Sequence, residues 1–265
     1  MQLRKVLRWG LDSFIRMAGP KGARSGYVVL TPPFFKSQRV LNKTTRAIRR
    51  YEVRDDVDLD VVYQTFLEEQ YRLSRLARFE SIQKRYADIQ AAGGVPLIVD
   101  CGANIGMSAA YFADQYPKGK IVAIEPEPKN IALARRNCPG VEFIQAAVSA
   151  EGGRGSVVDP GQGNWGFRVE KDPSGDVEFV SINQLLLRHP DCEPFIIKID
   201  IEGFEGELFS KNTEWLDRFF LVVVELHDWM LPMQGASASF LTAVSQRKRD
   251  FVFFGENVFS ISYGA

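Results

Sequence analysis

Cysteine is scarce in this chain of 265 residues, with three copies at Cys101, Cys138 and Cys192. An odd number without metal-type spacing argues against a disulfide frame and fits reduced thiols, so a cytoplasmic protein is expected. Histidine is scarcer still, at His189 and His227 only. Long apolar runs are missing: no stretch reaches the roughly 18 residues that a spanning helix needs. The opening MQLRKVLRWGLDSFIRMAG is not expected to act as a secretory signal, because Arg8 and Arg16 interrupt what should be a continuous apolar region. Internal repeats and low-complexity tracts are absent. Net charge is absent too, with 33 Lys+Arg against 33 Asp+Glu.

That zero conceals an asymmetry. Residues 1–55 hold 13 basic and 3 acidic side chains, whereas residues 56–265 hold 20 and 30. Within the basic part, Leu3, Val6, Leu7, Leu11, Phe14 and Ile15 recur at helical spacing among Arg4, Lys5, Arg8 and Arg16. Such a helix over residues 1–17 has three destinations: a membrane surface, a second copy of the chain, or the protein's own apolar face. After the breaker GPKGARSG, the two prolines of YVVLTPPFF limit that stretch to an edge strand or a loop. Residues 58–90 are helix-forming and amphipathic, and they stop at Gly93-Gly94. The expected organisation is a basic extension (1–57), a helical lid or cap (58–94) and a main domain (95–265). Tyr71 in FLEEQYRLSRL belongs either to such a lid or, as aromatics at helical spacing commonly do, to the core.

From Pro96 onward strands and helices alternate. PLIVDC, KIVAIE, VEFIQAAV, PFIIKID and FFLVVVEL read as strands; IGMSAAYFADQY, PKNIALARRN, FEGELFSKN and SASFLTAVSQRK read as helices. FVFFG and NVFSISY make a terminal strand pair. Continuous apolar runs such as FFLVVV suit a parallel sheet covered on both faces. The fold class is α/β, a doubly wound, mostly parallel Rossmann-like sheet whose ligands bind at the carboxyl ends of the strands.

The first strand runs into VDCGANIG. A dinucleotide fingerprint, G-x-G-x-x-G, needs a glycine where this chain has Asn104, so that backbone can approach a pyrophosphate. Asp100 would also repel the phosphates. No Gly-Lys-Ser/Thr follows, so a P-loop is excluded. A carboxylate at that position suits a cationic ligand, and S-adenosyl-L-methionine carries an ammonium and a sulfonium without phosphate. Asp100, Gly102, Asn104 and Gly106 are therefore the expected cofactor loop, with Gly102 letting backbone lie against the methionine part. Glu125 ends the second strand, where an acid can accept both ribose hydroxyls. Gln145, Ala146 and Ala147 follow the third strand and are expected against the adenine.

VDCGANIGMSAAYFA, AIEPEPKNIALARRN, IQAAVS, IIKIDIEGFEGELF and VVVELH together resemble the FkbM family of S-adenosylmethionine-dependent methyltransferases. The resemblance runs from about Asp58 to the C-terminus. It implies a seven-stranded fold and O-methylation of a sugar or natural-product hydroxyl, and it alone places Glu256 and Asn257 near the pocket rim. The family often has a Leu-Asp pair ahead of the fourth strand; here Ile182-Asn183 stands there.

Methyl transfer asks the protein to align two reactants and, for a hydroxyl acceptor, to supply a base. Asp200 is the first candidate, with Glu225 and His227 next. Glu202 and Glu205 flank Gly203 at a helix start, where carboxylates also serve as caps. Three carboxylates and a histidine can hold Mg²⁺ or form a hydrogen-bond network; the expectation is the network and no metal. Trp165 in GQGNWGFR is suited to stacking on a sugar, and Arg247-Lys248-Arg249 to a solvated helix end. The expected partner is a small-molecule or glycan acceptor, with peripheral membrane contact through residues 1–17 and oligomerisation left open. Nucleic acid is not expected, because the acidic body repels phosphates. The alternatives are methylation of an amine, lipid or protein, or a non-catalytic module that keeps the cofactor fold.

Overall fold

The computed structural model describes residues 25–158, 168–231 and 233–264. The helical pattern over residues 1–17 and the loop residue Trp165 lie outside them. The chain divides into two compact units between Arg72 and Leu73. The helix-forming stretch 58–94 contains two helices, one in each unit.

The first unit contains strands β1 (Tyr27–Val29), β2 (Ser37–Asn42) and β3 (Ile48–Glu52) in an antiparallel sheet of that order, followed by helix α1 (Asp56–Phe66). β1 is an edge strand that ends just before Thr31-Pro32-Pro33, since proline cannot donate to a ladder. β2 and β3 carried no apolar alternation in the sequence. The inward positions of β2 are Gln38, Val40 and Asn42, and β3 buries Tyr51 alone among charged neighbours. Asp55 caps α1 by accepting from the Val57 and Asp58 amides. Buried Asp58 takes a forked hydrogen bond from Arg54 at 2.8 Å on each arm. Phe66 packs edge-on to Tyr27 and stacks on Tyr51, and Tyr71 is buried in this unit as a core aromatic.

The second unit opens with a 3-10 turn (Leu73–Arg75) and helix α2 (Phe79–Ala91). Its main run is β4 (Val95–Cys101), α3 (Met107–Gln115), β5 (Lys120–Ile124), α4 (Pro128–Asn137) and β6 (Glu142–Ile144). Next come β7 (Ala147–Ser149), β8 (Gly153–Val158), β9 (Arg168–Lys171), β10 (Val177–Ser181) and α5 (Ile182–Arg188). The chain closes with β11 (Cys192–Ile199), α6 (Glu205–Leu208), β12 (Leu221–Glu225), α7 (Ala238–Ser245), β13 (Arg249–Phe254) and β14 (Asn257–Ser262). Seven strands form the large sheet in the order β13-β14-β12-β11-β4-β5-β6. β12, β11, β4, β5 and β6 are parallel, and only β14 runs against the rest. β4, β11 and β12 are buried almost throughout, as a sheet covered on both faces requires.

VEFIQAAV is not one strand. It breaks at Gln145, where β6 ends at the sheet edge and β7 joins a second, four-stranded sheet of order β7-β10-β8-β9. DVEFVSINQLL divides where Ser181 and Gln184 form a reciprocal capping box that starts α5. Arg249 is not a solvated helix end. It opens β13 at 6% exposure and donates to the carbonyls of Leu216, Phe219, Phe220 and Ser260, a cluster that a five-donor guanidinium can satisfy. Near the start of this unit, Arg78 bonds Asp250 at 2.6 Å and the Ser262 carbonyl at 3.1 Å, while the Arg75 guanidinium lies 3.7 Å over the Phe254 ring.

Candidate active site

Strand register brings the acids together. Lys198 stands opposite Asp100, Ile199 opposite both Cys101 and Val224, and Cys101 opposite Ile124. Asp100, Glu125, Asp200 and Glu225 therefore emerge along one edge of the sheet. The chain turns in opposite directions from β4 and β11, and the crevice between such strands is where doubly wound sheets bind ligands.

A cleft opens there, with about 590 Å³ of space that includes open solvent. Its lining includes Gly102, Asn104, Glu125, Ala146, Asp200 and Glu202, and no lysine or arginine is among the lining residues. Asn104 holds a left-handed backbone (φ 47°) that turns its amide onto Glu125 at 2.8 Å. Its side-chain oxygen is buried and has no hydrogen-bond partner among the described residues. An unfilled acceptor beside three carboxylates fits a ligand that brings N–H donors and positive charge, as S-adenosylmethionine does.

Glu125 accepts from the Asn104 and Glu127 amides and from Asn130 Nδ2. A carboxylate has about four acceptor positions, so about one remains for a ligand hydroxyl rather than the expected pair. Burial pushes Glu125 upward in pKa, and these donors hold it down. Ala146 and Ala147 line the cleft with Ile124 and Pro126 as an apolar wall; Gln145 is exposed and absent from the lining.

Three residues of the expected cofactor loop, Gly102, Asp100 and Gly106, serve the fold, and of these Gly102 alone also lines the cleft. A Cβ on Gly102 (φ 78°) would lie 1.7 Å from the Asp200 carbonyl oxygen, so the glycine is required by β11's chain end. Asp100 is 0% exposed and outside the lining; it accepts from Ser108 at 2.6 Å and pairs with Lys198 at 3.3 Å. Burial raises its pKa against the pull of Lys198 and Ser108. Gly106 caps α3 with φ 88°, where a Cβ would press on Ala134 and Cys138.

Lys198, itself buried, reaches from Asp100 to Asp200, 3.3 Å from each, and donates to the Gly102 carbonyl at 2.7 Å. Beyond it lies His227, 1% exposed. Its Nδ1 is 2.9 Å from Oε1 of fully buried Glu205. Its Nε2 faces Asp200, Glu202 and Glu225 at 3.6, 3.6 and 3.7 Å. Glu202 reaches this point through a left-handed backbone (φ 54°) followed by Gly203 (φ 94°). Burial, then the charge of Asp200, pushes Glu202 and Glu225 each up to about 8. Burial alone would lower His227, but the hydrogen bond to Glu205 and the surrounding acids outweigh it and raise the imidazole to about 9.

Sequence reasoning thus named Asp200, Glu225 and His227, which do converge. It took Glu205 for a helix cap and gave no role to Lys198, Asn130 or Ser108. An apolar strand interrupted by lysine, IIKID, was the one available signal. Asn257 is buried opposite Glu225, Glu256 sits in the β13–β14 turn, and neither lines the cleft. Asn183 bonds the Asn212 carbonyl and Glu214, away from the cleft lining.

The methyltransferase FkbM domain family matches residues 100–253, from the cofactor loop to the terminal hairpin. The chain belongs to the FkbM methyltransferase family. It is 38% identical over 166 residues to methyltransferase sdnD of Sordaria araneosa, covering 48% of this chain and 64% of that protein. It is 25% identical over 160 residues to hexuronic acid methyltransferase AglP of Haloferax volcanii, covering 57% of this chain and 66% of that one. The match thus spans less than two thirds of either relative. Among solved structures, magnesium protoporphyrin IX methyltransferase from Synechocystis PCC 6803 is similar at TM-score 0.37 and 10% identity, over 69% of this chain and 78% of that one. That likeness is too distant to carry the assignment, which rests on the family match. No helix among the described residues is long and apolar enough to cross a membrane.

Proposed function

We propose that this FkbM-family chain is an S-adenosylmethionine-dependent O-methyltransferase acting on a hydroxyl of a sugar or glycosylated molecule. The observation that carries the reading is the cleft itself: carboxylates at Glu125, Asp200 and Glu202, an unfilled acceptor on Asn104, and no basic side chain in the lining. Those groups would hold the cofactor's ammonium and one ribose hydroxyl, with the adenine against Ala146 and Ala147. When bound, the cofactor supplies a methyl group on sulfonium, already activated for transfer. The chain's own contribution is alignment and proton removal. The acceptor oxygen would bond to the methyl carbon as the carbon–sulfur bond breaks, and the hydroxyl proton would pass to Asp200 beside His227. Lys198 and Glu205 hold Asp200 and the imidazole in place for that step.

The carbohydrate class draws support from the AglP relative, named for hexuronic acid, and from Trp229. This indole is 60% exposed, and its ring centre lies 6.4 Å from that of His227. An open aromatic face beside the proton acceptors suits the apolar face of a sugar ring.

Calorimetric titration with S-adenosylmethionine, S-adenosylhomocysteine and NADH tests the cofactor, and transfer of labelled methyl to uronic acids, neutral sugars and amines tests the acceptor. Binding of the first two ligands only, weakened in Asn104→Ala, with transfer to sugars lost in Asp200→Asn, is the expected result. NADH binding, or transfer to amines that survives Asp200→Asn, defeats the proposal.

A further inference from the structure

We propose that Asp200, Glu202 and His227 form a binding site for one divalent cation of the magnesium or manganese class. One oxygen from each acid and one imidazole nitrogen all lie within 4.8 Å of one another. Two oxygen ligands on opposite sides of Mg²⁺ stand about 4.2 Å apart, and about 4.8 Å apart around Ca²⁺, so the three groups fit one coordination sphere with little movement.

Acids that merely cluster prove little. The independent pointer is the buried imidazole. Nδ1 is engaged by Glu205, so that a cation replacing the proton on the other nitrogen would meet the Nε2 lone pair of an imidazole whose Nδ1–H is already held. Nε2 makes no hydrogen bond among the described residues, although three carboxylates from two chain segments face it at 3.6 to 3.7 Å. That is the arrangement of a metal-binding histidine, whose second nitrogen is held by a buried carboxylate behind the site. Charge points the same way. Five carboxyl groups, Asp100, Asp200, Glu202, Glu205 and Glu225, gather around two basic side chains, Lys198 and His227, so a bound cation would let more of them ionise.

The ion would sit at the acceptor side of the cleft, since Asp200 and Glu202 line it. There it would bind the acceptor hydroxyl and lower its pKa, and the proton would pass to Glu225, outside the ligand trio, once the cation's charge has ionised that carboxyl. This catalytic role rests on the methyl-transfer reading above; the binding of the ion does not.

The test is Mn²⁺ titration of the full chain after chelator treatment, following free Mn²⁺ by electron paramagnetic resonance, with Mg²⁺ as competitor. One Mn²⁺ per chain, displaced by Mg²⁺, is expected. Asp200→Asn and Glu202→Gln should each weaken it at least tenfold, and Glu205→Gln about 10- to 100-fold through the imidazole. Circular dichroism checks that each variant is folded; Glu202→Gln, partly exposed and nearly isosteric, keeps the test open if a buried variant fails. A folded wild type without stoichiometric Mn²⁺, or binding unchanged in both Asp200→Asn and Glu202→Gln, overturns the proposal. S-adenosylhomocysteine titration of the same sample separates the two readings. Cofactor binding without Mn²⁺ removes the cation site alone, whereas Mn²⁺ binding without the cofactor removes the methyl-transfer role alone.

Discussion

Lys198 shows how one residue can organise a site without entering it. Its ammonium is the positive charge between Asp100 and Asp200, and its hydrogen bond to Gly102 ties the cofactor loop to the adjoining strand. Removing one partner from a buried ion pair leaves an uncompensated charge and costs about 3–5 kcal/mol. Lys198→Met should therefore lose about that much in urea denaturation, and adding Asp100→Asn should recover a good part of it. Equal stability of the single and double variants would mean that Asp100 does not depend on the lysine. The acids at the strand ends could be read from sequence, because an apolar run that stops at a carboxylate is visible in one dimension. Their division of labour could not. Asp100 and Asp200 occupy similar positions in their strands, yet one is sealed beneath the loop and the other lines the cleft. That difference arises from Ser108 and Lys198 lying across from Asp100, eight positions away on a helix and on a neighbouring strand.

At the scale of elements, the turns after β11 and β12 bring together the titratable groups around His227. In the folded protein Glu202 and Glu225 keep their protons up to about 8, against an ordinary value of 4.5, and His227 keeps its proton up to about 9, against 6.5. The native state thus binds more protons than the unfolded chain between those values, and stability must fall as pH rises through that window. In metal-free buffer the melting temperature should drop between pH 6 and pH 9, and Glu202→Gln with Glu225→Gln should flatten the slope. A melting temperature that climbs over this range contradicts the arrangement. The turn after β12 also presents Trp229. Its replacement by alanine should raise the acceptor KM about tenfold with kcat little changed, in steady-state kinetics; an unchanged KM would free the indole of any acceptor role. Elements whose apolar positions alternate or recur were legible here, including α3, α4, β4, β5 and β12. The second sheet was not, because β7 continues a hydrophobic run that β6 begins. Only the pairing of β7 with β10, some thirty residues later, tells the two strands apart.

For the whole molecule, the division at Arg72 and Leu73 separates what the cleft needs from what it does not. Every lining residue from Gly102 to Glu202 belongs to the second unit, as do all seven strands of the large sheet. A fragment of residues 73–265 should fold and bind S-adenosylhomocysteine within about threefold of the full chain, by calorimetry. Loss of binding in a folded fragment would assign the first unit a part in the site. β2 and β3 escaped sequence analysis because β2 buries Gln38 and Asn42 beside Val40, and β3 exposes Ile48 with Arg49, Arg50 and Glu52. The first unit's core is instead built around Phe66, Tyr27 and Tyr51, which come from elements distant in sequence.

Arg75 and Arg78 clasp the terminal hairpin through Phe254, Asp250 and Ser262. The second unit consequently begins and ends at the same spot on its surface. A body whose ends meet can be joined to new neighbours through two short tethers, or reopened elsewhere after its ends are linked, without disturbing the strands that hold the cleft. If the fragment 73–265 folds as expected, the arginine clasp would let it be set within a longer chain as readily as at an end.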